Sequence, residues 1–167
     1  MLDEQLMMRC LELAREAHSK GEAPVGALIA RGDQIIAEGR ERTKELLDHS
    51  AHAELQAIQA ACHVLRTYDL SGLAIYSNVE PCVLCAYVIR RAGLARVVFG
   101  VPAGQAGGFT SRYALLSDVS LPGWPPPPEI EPGVLLDACQ KVMSAFRTDS
   151  ANFEPRKHDP ADMGNGF

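Results

Sequence analysis

Between Leu73 and Gly100 the chain runs apolar stretch, amphipathic stretch, apolar stretch, and few folds accept that order. Leu73-Ala74-Ile75-Tyr76-Ser77 reads as a buried strand, Cys82 to Ala92 as a helix stopped by Gly93, and Ala95-Arg96-Val97-Val98-Phe99-Gly100 as a second strand. A strand-helix-strand unit makes its strands parallel neighbours and lays the helix on a sheet face. Upstream, Leu6, Cys10, Leu13, Ala14 and Ala17 keep helical spacing from residue 2 to 20, and Gly21 follows as a stop. Pro24 to Ala30 and Gln34 to Glu38 then flank the turn Arg31-Gly32-Asp33 as an antiparallel hairpin. Beyond a polar segment from Gly39 to Ser50, Leu55, Ile58, Ala61, Cys62 and Leu65 mark a helix over 51–65, with Asp48 or Ser50 as N-cap. A last helix is expected over 134–146. The prediction is an α/β fold: a three-layer α/β/α sandwich on a mixed sheet.

With 47% hydrophobic residues, a chain of 167 suits one core and one domain, placed at 1–147. Residues 148–167 are polar and aperiodic and read as a C-terminal tail, and Pro122 to Pro128 as a stiff connection. No apolar run approaches the roughly eighteen residues of a membrane span. The acidic start Asp3-Glu4 is unlike a secretory signal, so a cytoplasmic location is expected. Sixteen Lys and Arg against twenty-one Asp and Glu give a net charge of -5, without the general basic field of a nucleic-acid binder. The five cysteines divide: Cys10, Cys62 and Cys139 sit alone in apolar surroundings, whereas Cys82 and Cys85 form a Cys-x-x-Cys after Pro81.

That pair and His52 supply two thiolates and an imidazole, a donor set for Zn²⁺ that leaves the fourth tetrahedral position open, as in catalytic sites. His52 and Glu54 stand at i and i+2, about 200° apart around a regular helix. Both reach one point only if the helix meets the metal end-on, so two helix N-termini should converge at one sheet edge. The opposing reading is a zinc site for folding, closed by His49, in a non-catalytic binding module.

Ala51-His52-Ala53-Glu54, Glu80-Pro81-Cys82-Val83-Leu84-Cys85-Ala86, Pro24-Val25-Gly26-Ala27 and Arg96-Val97-Val98-Phe99-Gly100 together resemble the zinc-dependent cytidine deaminase superfamily. The likeness is to the branch holding bacterial tRNA adenosine deaminases, guanine deaminases and yeast-type cytosine deaminase. It implies a five-stranded sheet, a homodimer and a hydrolytic deaminase: zinc acidifies a water, Glu54 shuttles its proton, and ammonia leaves the ring carbon. It also implies a ring-reading Asn eleven positions before the ligand histidine, where this chain has Glu41. Ala53, Tyr87, Phe109 and Tyr113 complete the expected substrate contacts, with Trp124 of the same class. A carboxylate only accepts, so Glu41 favours a small heterocycle presenting two N–H donors, such as guanine, isocytosine or a pterin-like ring. The alternative is A-to-I deamination of tRNA, against which stand the net charge and a last helix offering only Lys141, Phe146 and Arg147. Arg90 and Arg91 read as a solvated or dimer-interface face.

Overall fold

The computed structural model describes residues 1–151, with side chains through Phe146. In chain order, helix α1 (Leu2–Ser19) precedes strands β1 (Gly26–Arg31) and β2 (Gln34–Arg40), one-turn helix α2 (Thr43–Leu46) and helix α3 (Ala53–Leu65). Strand β3 (Ala74–Val79), helix α4 (Val83–Ala92) and strand β4 (Arg96–Val101) follow, then β5 (Glu129–Pro132) and α5 (Leu136–Ala151). The sheet order is β2-β1-β3-β4-β5. β1 pairs antiparallel with β2 and β3, whereas β3, β4 and β5 run parallel. The mixed five-stranded sandwich is the expected one.

Strand alternation divides the core between the two sheet faces. Ala27, Ile29, Ile75, Val97 and Phe99 pack under Leu55, Ile58, Cys85 and Ile89 of α3 and α4. Leu28, Ala30, Tyr76 and Val98 pack on the opposite face against Leu6, Met7, Cys10 and Leu11 of α1 and Cys139 and Val142 of α5. Each such burial stabilises by about 1.5–3 kcal/mol for a large aliphatic or aromatic side chain. Close approach also shapes the packing: a Cβ on Gly39 would lie 2.3 Å from the Ala53 carbonyl oxygen, so α3 rests directly on β2.

Three local expectations are corrected. Neither Asp48 nor Ser50 caps α3; Asp48 closes its own turn by accepting from the Ser50 N–H and hydroxyl at 2.8 and 2.7 Å, and His52 is the N-cap. The last helix starts two residues later than expected and runs through Ala151, because the first breaker beyond Phe146 is Pro155. The first four residues of the expected tail therefore continue α5, and the rest lie outside the described residues. α2 was not expected at all: Glu22, 1% exposed, accepts from the Lys44 and Glu45 N–H groups at 3.2 and 2.7 Å, a cap supplied from about twenty residues upstream.

Candidate active site

Two helices begin at the same edge of the sheet. β1 starts there, β3 ends there, and the registers Gly26↔Arg40 and Ala27↔Ser77 bring the ends of β2 and β3 alongside. α3 opens on His52 and α4 on Cys82, both N-cap residues in extended conformation with no side-chain capping bond. Their side chains are thus free to turn towards each other. His52 Nδ1 lies 3.5 Å from each of Cys82 Sγ and Cys85 Sγ, and the two sulfurs are 3.8 Å apart. Zn–S and Zn–N bonds of about 2.3 and 2.0 Å make tetrahedron edges of about 3.8 Å between sulfurs and 3.5 Å from sulfur to nitrogen, so the three donors fit zinc. Among the described residues they form the one such metal-binding group, and His49, exposed in the preceding turn, is not in it.

Glu54 follows two residues behind His52, in the first turn of α3, and is 4% exposed. The Cys85 thiol lies 3.6 Å from its Oε2 and the Ser77 hydroxyl donates to its Oε1 at 3.3 Å. Burial pushes the Glu54 carboxyl up to about 7, near the pH at which a proton shuttle works best. In the metal-free protein the Cys82 thiol falls to about 4, first through its contact with Cys85 and then with His52. The contact with Cys82 in turn lifts His52 to about 9. A thiolate is therefore ready for a metal at neutral pH.

The remaining expected residues are placed less uniformly. Glu41 is buried at the mouth of α3, and its Oε2 accepts from the Ala53 N–H at 3.3 Å. Burial lifts its carboxyl above the usual range, against the pull of His52. Ala53, expected among the substrate contacts, gives its amide N–H to Glu41. Tyr87, two residues past Cys85 and so on another face of α4, packs edge-on against Trp124 with ring centroids 5.2 Å apart. Phe109 packs against Phe99 at 6.2 Å and belongs to the core beneath the site. Tyr113 is half-exposed under the Arg112 guanidinium. Arg90 is no solvated cation: it is 2% exposed and donates to the carbonyls of Leu115, Asp118 and Pro125, pinning the proline-rich connection to α4.

Two side chains that sequence reasoning passed over shape the site. Ser77 had a signal, since it shares the parity of Ile75 and therefore the face under α3. Glu80 had none. It is 1% exposed and accepts from the Phe109 and Thr110 N–H groups at 2.8 and 2.7 Å, from the Ala103 N–H at 2.9 Å and from the Thr110 hydroxyl at 2.7 Å. Residues 103–110 are thereby tied to the segment that delivers Cys82.

A sequence model of the cytidine and deoxycytidylate deaminase zinc-binding region matches residues 1–101, more than half of the chain. The chain belongs to this deaminase family. It is a zinc-dependent enzyme of hydrolytic C–N deamination, and the matched region contains His52, Glu54, Cys82 and Cys85. It is 34% identical over 145 residues to the tRNA-specific adenosine deaminase of Haemophilus influenzae, covering 86% of this chain and 82% of that one. Against the tRNA-specific adenosine deaminase of Aquifex aeolicus the figure is 36% over 118 residues, 71% and 78% of the two chains. A solved structure from studies of tRNA:A34 deaminases superposes with a TM-score of 0.77 at 30% identity, over 83% of this chain and 98% of that one. The guanine deaminase of Nitrosomonas europaea shares the fold, with a TM-score of 0.74 at 21% identity over 87% and 84% of the two chains.

Proposed function

We propose that this deaminase acts on an adenosine within tRNA, converting it to inosine. The observation that carries the reading is the identity of 32–36% to proteins named as tRNA-specific adenosine deaminases, sustained over most of both chains, where the guanine deaminase likeness extends to the fold alone. The expectation of a small free heterocycle gives way on physical grounds. Net charge averages over the whole surface, and a carboxylate at Glu41 that accepts from the Ala53 N–H is engaged as a helix cap rather than held open for a ring. One observation still favours a ring with two N–H donors, namely that Glu41 is buried beside α3 and can only accept.

Zinc, held by His52, Cys82 and Cys85, supplies Lewis acidity that makes water a nucleophile at neutral pH. Glu54, its oxygens near Ser77 and Cys85, would carry two protons in turn: the first from water to the ring nitrogen as the C–O bond forms, the second from the added hydroxyl to the amine, so that the C–N bond breaks and ammonia leaves. Ser77 holds the carboxylate in place. The deaminase domain is placed at 1–147, with α5 running four residues past that bound, the location is cytoplasmic, and a homodimer is expected. Among the described residues no helix is long and apolar enough to cross a membrane.

The test is ammonia release from a zinc-loaded preparation offered a tRNA with adenosine at the wobble position, the same tRNA with guanosine there, and free guanine, isocytosine, cytosine, adenosine and a pterin. Turnover of the first alone supports the proposal. Turnover of guanine or isocytosine with the tRNA untouched overturns it in favour of the Glu41 reading.

A further inference from the structure

We propose that Arg112 and Tyr113 form the docking platform for a nucleotide that flanks the target base, the ring of Tyr113 stacking a base and the guanidinium of Arg112 meeting a phosphate. The inference rests on the tRNA reading above. It starts from where the cations are. Of the ten arginines whose side chains are described, four are committed to carboxylates: Arg9 to Glu12 and Glu38, Arg40 to Glu16 and Glu45, Arg42 to Glu45, and Arg96 to Asp3. Arg90 is buried on carbonyls. A protein of net charge -5 that receives a polyanion needs free cations at the site itself. Arg112 is exposed, donates to the Tyr113 hydroxyl, lies 4.7 Å over that ring, and meets no carboxylate among the described residues. Tyr113 is 47% exposed, so the guanidinium does not cover the whole ring.

Position is the second argument. Two cavities meet at this pair, one of 730 Å³ that also reaches Gln105, Thr110 and Ser111, and one of 480 Å³ that also reaches Val83 and Asp118. Both fall within the roughly 300–1,000 Å³ of small-ligand clefts. Val83 is the residue next to Cys82, so the second cavity opens within one residue of a metal donor. Rigidity is the third. Glu80 fixes Ala103, Phe109 and Thr110, the Ser111 hydroxyl donates to the Gly107 carbonyl, and the Tyr113 N–H donates to Ser111 Oγ at 3.0 Å. A stacking ring held by its own loop loses little freedom on binding. An exposed aromatic with a guanidinium unpaired to any carboxylate, on a cavity that reaches the residue after Cys82, suits single-stranded RNA, whose bases stack on aromatic rings and whose backbone attracts cations.

The experiment measures the affinity of the zinc-loaded protein for a fluorescent anticodon stem-loop with adenosine at the wobble position, by anisotropy across a salt series, and in parallel its deamination. Tyr113→Ala should weaken binding about tenfold and Tyr113→Phe should restore it, given the usual worth of one base–aromatic stack. Arg112→Gln should lower the slope of log affinity against log salt by about one. Zinc content reports that each variant has folded. If the stem-loop is deaminated but its affinity and salt slope are the same in all variants, the platform is refuted and the tRNA reading stands. If it binds with the stated dependence but is not deaminated, the platform stands and the tRNA reading fails. If the wild type neither binds nor deaminates it, both fail.

Discussion

Glu80→Gln removes one charge and one acceptor from a carboxylate that holds four donors in place. With its carbonyl oxygen kept at the Oε1 position, Gln still serves Phe109 and Thr110, while its amide nitrogen opposes the Ala103 N–H, and the Thr110 hydroxyl can rotate to accept from it. One buried N–H is left unpaired, at about 1–3 kcal/mol, and the surviving bonds lose their charge assistance, roughly 1 kcal/mol more. The expected loss is therefore about 2–4 kcal/mol, which in a domain of this size lowers Tm by about 5–15 °C. Burial alone would raise the Glu80 carboxyl, but the donors of Thr110, Ala103 and Phe109 outweigh it and hold it below the usual range. A depressed folded pKa contributes stability that is fully present above the unfolded value of about 4.3 and is lost as pH falls through the folded one. Urea denaturation of the zinc-loaded proteins should thus show the gap at pH 7 and show it closing below about pH 4. A difference under about 0.5 kcal/mol at pH 7, or one independent of pH, would refute the clamp.

Ser77→Ala removes the hydroxyl that donates to Glu54 at 3.3 Å; the ionised form loses a bond, so the acid limb of the kcat/KM profile should move up by about half to one pH unit while zinc stays bound. Gly39→Ala places a methyl 2.3 Å from the Ala53 carbonyl and 2.5 Å from the Ala57 nitrogen, forcing α3 off β2; a stability loss of about 3 kcal/mol by urea titration is expected, with weaker zinc retention because His52 begins that helix. Asp3 accepts two bonds from Arg96 at 2.8 and 3.0 Å, chiefly through which its pKa is lowered; Asp3→Asn should cost about 1 kcal/mol at pH 7, discounted for partial exposure, and the difference should shrink as pH falls below the unfolded carboxylate value and through the lowered folded one, read from denaturation curves across that range.

Much of this was legible in the sequence because it depends on local periodicity. The strand-helix-strand order from Leu73 to Gly100 set the layers, and the i, i+2 spacing of His52 and Glu54 required a helix met end-on, which is how α3 meets the thiols. β5 escaped notice because Glu129, Ile130, Glu131 and Pro132 form a short edge strand with only Ile130 against the core. Glu22 and Glu80 escaped for another reason. A carboxylate is read as solvated unless its donors are known, and theirs come from segments about twenty to thirty residues away. Arg90 is the same case with the sign reversed. On substrate, the likeness to tRNA adenosine deaminases favours the alternative over the small heterocycle, and whole-chain charge is a poor guide because it says nothing about which arginines are already paired.

The assignment of the site itself is tested most directly by Glu54→Gln, assayed together for bound zinc and for inosine formed in a tRNA with adenosine at the wobble position. With three donors that need no help from Glu54, the variant should keep one zinc per chain, as judged by elemental analysis, and lose inosine formation by at least about a hundredfold, the low end for a general acid-base residue. A variant that loses its zinc, or one that keeps it and turns over at the wild-type rate, contradicts the role given to Glu54.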